Sequence, residues 1–374
     1  MKKILMILDN GFKPDLRVQK EINTLIKLGY SVELFCWDQD GDMPAEEHKN
    51  NFNISRIKLV VKKQQGVKKI IDLFKFFKLT IHKIKEKNVE ADYIYVHDFL
   101  LLPFGVFLKF KFNKPLIYDA HEIYHLMEWE KYNPTIRNII FQTEKFLTKF
   151  IDAFIVVNST RKNFYSEYFK NKIDIIGNWY DPYNGEIVEL KKQYGISPDE
   201  VIISYFGVIN FDERPINEII EKLHDKKNVH FFIAGEGKNT EAVENFSKIY
   251  ERVHYLGWQN NVRKYLNDVD YIVYYMNDKR KYFEYTAPNT LYLAISHGTP
   301  IITNVPGESE TLIRENNIGY FIKNTENIDV TINFDLNSKE YRSKFDSINK
   351  IKDKFKWSEC EKTYTDIFAR ITKK

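Results

Sequence analysis

The sequence predicts an α/β protein with two Rossmann-like domains, each a parallel sheet covered by helices. Three observations predict it. Short apolar runs alternate with longer helical stretches, the rhythm breaks near residue 180 and restarts, and 374 residues suffice for two domains. Hydrophobic residues make up 43% and charged residues 29%, which excludes a disordered chain.

The first half opens with a strand over Lys3–Leu8. Val18, Ile22, Leu25 and Ile26 then recur at helical spacing, and Gly29 closes that helix. Strands follow at Ser31–Cys36 and Ile54–Val61, a long helix at Val67–Lys87, and a strand at Tyr93–Val96. A helix over Leu101–Phe110 leads to a strand at Leu116–Tyr118, a helix over 135–150 and a strand at Ala153–Val157. After turn-forming residues 179–185 the pattern restarts: strands at Val201–Phe206, Val229–Ala234, Val253–Leu256, Tyr271–Tyr275 and Pro300–Thr303 are separated by helices at Ile216–Leu223, 240–250, 260–268 and Asn289–His297. An amphipathic helix closes the chain from Trp357. The domains are expected at 1–180 and 181–356, with 357–374 as a helix returning to the first.

Absences narrow the function. There is no Gly-x-Gly-x-x-Gly after the first strand, no P-loop, no Gly-x-Ser-x-Gly elbow and no His-Glu-x-x-His. Two cysteines, Cys36 and Cys360, make no disulfide framework. The opening apolar run, Ile4–Leu8, is too short for a signal peptide, and no run reaches the roughly 18 apolar residues of a membrane span. A cytoplasmic setting is expected, peripheral at the inner face of the membrane.

Charge is uneven. Residues 1–180 hold 29 Lys/Arg and 22 Asp/Glu, a formal +7, and the remainder 27 and 30, a formal −3. Residues 56–88 alone hold eleven basic and two acidic residues. There, Ile70, Leu73, Phe74, Phe77, Ile81 and Ile84 form one apolar stripe, with Phe76 and Leu79 on the opposite, lysine-rich side. A basic helix over 67–88 with an exposed aromatic predicts contact with a membrane surface. Nucleic acid is not expected, because no nucleic-acid signature accompanies it, and a merely solvated basic face is the plain alternative.

Candidate site residues cluster after strands, where open parallel sheets bind ligands. His97-Asp98 follows one strand and Asp119-Ala120-His121-Glu122 its neighbour. A histidine there can bind an anionic leaving group or a sugar hydroxyl, while the acids also suit helix caps. Gly235-Glu236-Gly237 follows Val229–Ala234, and its glycines admit close backbone approach. Arg214 stands before Pro215 at a helix start, where it can clamp a diphosphate. The basic loop Lys279-Arg280-Lys281 is assigned no role.

Together these segments resemble the GT-B fold nucleotide-sugar glycosyltransferases of family 4, over nearly the whole chain. The resemblance runs through Asp15–Glu21, Ala91–Asp98, Tyr118–Glu122, Asp152–Asn158, Ser204–Gly207, Ile233–Gly237, Val253–Trp258, Ala287–Tyr292 and Gly298–Ile302. It implies two domains facing a central crevice, with the acceptor bound by the first and the donor by the second. It implies catalytic roles for His121, Asp119 and Glu122, and an acceptor side at Asn10, Gly11, Arg17, His97 and Asp98. The donor would meet Gly207, Arg214, Gly235, Glu236, Gly237, Gln259, Glu284, Pro288, Asn289, Thr290 and Leu291. No metal or other cofactor is implied. The partners implied are a nucleotide-sugar donor and a saccharide or lipid-linked acceptor, with retention at the anomeric carbon, in cell-surface polysaccharide or glycoconjugate synthesis.

Two departures stand out. The family carries a Glu-x7-Glu pair whose second member holds the ribose; here that position is Leu293, the residue eight before it is Tyr285, and Glu284 lies one place out of register. The family's Arg after the first donor-domain glycine is Val208, and its Lys lies near Arg214. The altered pair motivates a second reading, a non-catalytic member that binds a glycan or supports a partner transferase. A GT-B sugar-nucleotide epimerase shares the fold.

Overall fold

The computed structural model describes residues 1–13, 15–61, 67–127, 133–277 and 281–372, with backbone alone for 67–69, 127 and 281. Lys279 and Arg280, the side chain of Lys281, part of the basic tract at 62–66 and the side chains of Lys68 and Lys69 therefore lie outside the described residues. The chain forms two compact units, one of residues 1–176 and 361–374, the other of 177–360.

The first unit runs β1 (Lys3–Leu8), α1 (Leu16–Lys27), β2 (Ser31–Asp38), β3 (Glu46–Lys49), β4 (Phe52–Lys58) and α2 (Val67–Glu86). It continues with β5 (Tyr93–His97), α3 (Asp98–Phe112), β6 (Leu116–Ala120), α4 (Tyr124–Met127), α5 (Pro134–Leu147), β7 (Ala153–Val156), α6 (Ser159–Tyr168) and β8 (Ile173–Ile175). Its sheet has the order β3-β4-β2-β1-β5-β6-β7-β8, parallel except that β3 pairs antiparallel with β4. The central strands β1 and β5 are apolar and buried on both faces, as parallel strands under helices must be. In the β5–β6 register His97 lies opposite Asp119, so both polar clusters leave the sheet at one place.

The second unit runs α7 (Leu190–Tyr194), β9 (Val201–Phe206), α8 (Ile216–Leu223), β10 (Val229–Ala234), α9 (Thr240–Ile249), β11 (Val253–Tyr255), β12 (Tyr271–Tyr274) and α10 (Asn289–His297). Then come β13 (Ile301–Thr303), α11 (Glu308–Asn316), β14 (Gly319–Phe321), α12 (Ile328–Thr331) and α13 (Lys339–Ile351). Its sheet, β11-β10-β9-β12-β13-β14, is parallel throughout. Alternate residues of β9 feed two cores, Val201, Ile203 and Tyr205 into one and Ile202 and Phe206 into the other. Residues 262–268, expected as a helix, form a 3₁₀ stretch. The last helix, α14 (Trp357–Thr372), begins in the second unit and belongs to the first from Glu361.

On one face of the first sheet, α14 stacks Phe368 against Tyr30 and Tyr93, with ring centroids 4.5 and 5.0 Å apart. Tyr93 Oη and Thr372 Oγ1 share a hydrogen bond of 2.6 Å. The α2 helix departs from the expected stripe. Phe76 is fully buried and stacks on Trp37 at 5.3 Å, whereas Ile70 and Phe74 are exposed. The cause is that apolar residues surround this helix, so spacing alone does not choose the face; the ring that reaches Trp37 decides it. Leu79 is exposed, as expected.

Candidate active site

In the first unit the candidate residues converge on a buried polar cluster. Asp15 caps α1 by accepting from the Val18 N–H (3.1 Å), which places Arg17 in the first turn. Arg17 Nη2 donates to both Asp119 oxygens (3.2 and 3.1 Å) and Nη1 to the Ile176 carbonyl (2.7 Å). Its Nε lies 3.0 Å from Glu21 Oε1, one helical turn on. Tyr95 Oη donates to Asp119 Oδ2 (3.1 Å) and shares a bond with Tyr364 Oη of α14 (3.0 Å).

Burial opposes ionisation of Asp119, but Arg17 and His121 overcome it and hold the carboxyl well below the usual range. Glu21, buried beside that carboxylate, is pushed up to about 8 and stays protonated at neutral pH. Burial pushes His97 down to about 3, so its ring is neutral, with His121 adding to the effect.

His121 feels opposed influences. Burial and Arg17, whose Nε lies 3.1 Å from His121 Nε2, favour the neutral ring. Asp119 Oδ2, 3.3 Å from the same nitrogen, and Asp98 favour the cation and raise His121 to about 9. The carboxylates prevail, and neutral His97 offers Nδ1 as a further acceptor at 3.2 Å. Arg17, Asp119 and His121 then carry one net positive charge, and His121 is the ring of the pair that reaches the surface. Glu21, His97, Asp119 and His121 also place ligand atoms within 4.8 Å of one another, a set able to hold a metal ion. The Arg17 guanidinium already lies against three of the four, so a cation among them would compete with it.

Asp98 sits at φ +61°, a left-handed conformation unusual outside glycine. Its Oδ1 accepts from the His121 and Glu122 amides (2.9 and 3.1 Å), so it ties the two strand ends together. Glu122 turns away to Arg161 (2.7 Å). Asn10 folds its side chain onto the Phe12 amide (2.8 Å), and the Gly11 carbonyl accepts from Arg56 (2.9 Å). These last three residues hydrogen-bond within the first unit.

In the second unit a cavity of about 210 Å³ opens beyond the ends of β9 and β10. Gly207 and Gly235 form its floor, with Phe206, Ala234, Val262 and Leu293 as apolar walls and Tyr180, Trp258, Gln259, Asn289 and Thr290 around them. A Cβ on Gly235, at φ +149°, would stand 1.8 Å from the Gly207 carbonyl oxygen. Only glycine lets these two loops meet. Gly237 packs in the same way on Ile209, and the exposed Glu236 contributes its carbonyl to the Ile209 amide (3.0 Å). Pro288 precedes α10, and no side chain caps that helix start.

Of the other expected donor residues, Gln259 lines the cavity and Leu291, Glu284 and Arg214 do not. Leu291 is buried in the core. Gln259 is engaged internally, donating to the Leu256 carbonyl (2.6 Å) and accepting from Tyr265 (2.8 Å). Glu284 is exposed and does not line the cavity; its carbonyl packs on Gly307. Arg214 lies half-buried over Tyr274, 5.3 Å from the ring centroid, with its Nε lacking a hydrogen-bond partner. Sequence reasoning missed Glu21, Tyr95, Tyr364 and Trp258. The Arg17–Glu21 spacing was a signal for the first; Tyr95 and Tyr364 arise from non-local pairing, and Trp258 from its place on the cavity.

Two doubly wound parallel-sheet units, each with its polar cluster or glycine floor at the strand ends, define the GT-B class of glycosyltransferases. The model for Glycosyltransferase Family 4 matches residues 17–183, and that for Glycosyl transferases group 1 matches residues 213–332. The chain belongs to the family 4-like glycosyltransferases.

Similar solved structures include sucrose-phosphate synthase from Thermosynechococcus elongatus, with a TM-score of 0.72, 14% identity and coverage of 100% of this chain and 99% of that one. Anabaena HepE in complex with UDP gives 0.67, 14% identity and coverage of 99% and 100%. The lipopolysaccharide outer core galactosyltransferase WaaB gives 0.64, 15% identity and coverage of 98% and 99%. Among curated proteins, none matches the chain in sequence.

Proposed function

We propose that this glycosyltransferase moves a hexosyl-type group from a nucleoside-diphosphate sugar to a saccharide or lipid-linked saccharide acceptor, in cell-surface glycan synthesis and with retention at the anomeric carbon. In this reading the 1–180 region binds the acceptor and the 181–356 region the donor. The bond from the anomeric carbon to the diphosphate oxygen breaks, a bond to the acceptor oxygen forms, the acceptor hydroxyl loses its proton, and the nucleoside diphosphate leaves.

One observation carries the donor assignment: a cavity floored by Gly207 and Gly235 beside the uncapped start of α10. A helix start favours an anion through its free amides and dipole. Arg214 does not line this cavity, and its Nε has no hydrogen-bond partner in the structure. HepE, of similar fold, has been solved with UDP and with UDP-glucose. Stabilisation of the departing diphosphate supplies the main catalytic effect, and no metal is assigned. This reading gives the His121 cation a catalytic role in the transfer.

The test is thermal unfolding with UDP, GDP, ADP, CDP and dTDP. A nucleotide at 100 times its Kd stabilises by about 2.7 kcal/mol, and one of the five is expected to do so. Leu293, 6% exposed, lines this cavity, and no lining residue is acidic. Leu293→Glu is therefore expected to tighten ribonucleoside diphosphates by about fivefold or more, the worth of about 1–2 kcal/mol of hydrogen bonding; unchanged affinity would put the ribose elsewhere.

The same acid-free wall favours, as a second reading, a non-catalytic glycan-binding member. Donor turnover that disappears in His121→Ala would eliminate it. No shift with any nucleotide, together with no turnover, would eliminate the transferase reading instead.

A further inference from the structure

Helices α2, α3 and α5 follow successive right-handed crossovers that run the same way across the first sheet, so they lie on one face of it. Two runs of phenylalanine rings, one helical turn apart on α3, join them. Phe74 lies 6.2 Å from Phe77, Phe77 stacks on Phe104 at 4.4 Å, and Phe104 lies 6.4 Å from Phe107. Phe110 stands one turn beyond Phe107 and meets Phe150 at 5.5 Å, which meets Phe146 at 5.4 Å.

The inner rings of these runs are buried or half-buried, but Phe74, Phe107, Phe110 and Phe146 face solvent, Phe74 at 66% and Phe110 at 63% exposure. Ile139 on α5 and Ile70 and Ile71 on α2 extend the apolar surface. Packing within the unit does not require exposed rings of this size on three adjacent helices.

The charges around the patch have one sign. Lys75, Lys78, Lys111 and Lys149 are exposed, and the ammonium groups of Lys111 and Lys149 lie 5.7 and 5.5 Å from the centroids of Phe107 and Phe146. The acids of these helices are withdrawn. Asp72 is buried and pairs with Lys75 (2.9 Å), Glu144 is buried and Asp98 is turned to the His121 loop, which leaves Lys78, Lys111 and Lys149 as the patch's charges and Glu86 as the acid exposed at the far end of α2. A second copy docking here through two-fold symmetry would set lysines against lysines. An anionic bilayer complements both features, with lysines at the phosphate level and phenylalanines in the acyl boundary.

We propose that this three-helix face is a docking surface for an anionic lipid membrane. It differs from a basic helix acting alone: the anchoring groups are the rings of α2, α3 and α5 together. The face is independent of the nucleotide cavity, which lies wholly in the other unit.

The experiment is co-sedimentation of the full chain with phosphatidylcholine vesicles, with and without phosphatidylglycerol. Binding is expected only when the anionic lipid is present, and it should weaken as salt rises. Phe107→Ser with Phe110→Ser is expected to lower partitioning by about tenfold or more. Reversing Lys78, Lys111 and Lys149 to Glu should lower it by about a hundredfold. Both variants should keep the parent thermal midpoint and nucleotide response, because the changed side chains are exposed. Equal sedimentation of parent and variants, or none by the parent, overturns the proposal. So does a concentration-dependent dimer that the phenylalanine variants abolish, or lysine-dependent binding to a single-stranded oligonucleotide without vesicle binding. None of these readouts needs transfer activity, so failure here leaves the glycosyltransfer reading standing.

Discussion

Asp119 holds more of the first unit's polar cluster than any residue around it. It is buried, ionised, and bonded to Arg17, Tyr95 and His121. Asp119→Asn keeps the shape and removes the charge, which leaves the buried Arg17 with neutral Glu21 as its nearest carboxyl. Breaking a buried pair from one side costs about 3–5 kcal/mol. Urea unfolding of Asp119→Asn is expected to show a loss of that size. A loss under about 1 kcal/mol, typical of an exposed pair, would mean the cluster is open to water.

The same variant lowers the pKa of His121, because its main ionic partner is gone. Imidazole NMR would follow that directly. The sequence shows Asp119 and His121 as polar residues closing an apolar strand, so half of this cluster was legible. Tyr95 was hidden because it reads as an ordinary strand aromatic, and Tyr364 because it lies 269 residues from its partner.

Among the elements, those with clear periodicity were readable to within a few residues. Strands β1, β9 and β10 and helices α8 and α10 begin and end where their apolar pattern does. The unread elements lack that pattern. The β3 strand, Glu-Glu-His-Lys, is a polar edge strand that exists because β4 offers it an open backbone. The β14 strand has three residues, too few to show alternation. Helix α13 is charged over most of its surface and anchors mainly through Ile348 and Ile351.

The misread face of α2 follows from the same cause, since its apolar residues leave more than one stripe available. Phe76→Ala tests the observed face: removing a fully buried ring stacked on Trp37 should cost about 3–5 kcal/mol, whereas Phe74→Ala on the exposed side should change chemical unfolding by less than about 0.5 kcal/mol. Equal costs would mean the helix is rotated from its described position.

For the whole molecule, pH is the probe that separates the buried groups by sign. Burial holds His125, His254 and His297 down to about 4 and His97 to about 3, with nearby cations adding to it. The unfolded chain takes up those protons below about 6.5 and the native chain resists, so acidification from 6.5 toward 4 destabilises the fold. Glu21 and Glu144, raised to about 8 and about 7 chiefly by burial, keep protons that the unfolded chain has released above about 4.5. Their stabilisation is complete below that value and disappears as pH climbs through 7 and 8. His121, raised to about 9, acts in the same direction above 6.5.

Above pH 6.5 these three groups therefore lower stability in the same direction, Glu144 up to about 7, Glu21 up to about 8 and His121 up to about 9. The melting temperature should fall steadily over that interval, and Glu21→Gln should flatten the fall. A parent profile that is flat from 6.5 to 9 would show Glu21 and His121 to be less perturbed than described. Among the described residues no helix is long and apolar enough to cross a membrane.

The docking of α14 also sets the order of events on the ribosome. The strands of the first unit are synthesised before the second unit, yet the residues that cover Tyr30, Tyr93 and Tyr95 are made only after it. The entire stretch 177–360 is translated between them. At about 5–20 residues per second that interval lasts roughly 10–40 s. Throughout it the nascent first sheet carries an uncovered aromatic face and an unfinished tyrosine–carboxylate network. A message truncated anywhere before codon 361 yields a chain that can never close this face, and such fragments are natural clients for chaperones. Completion of the first unit thereby reports that the second has been made in full.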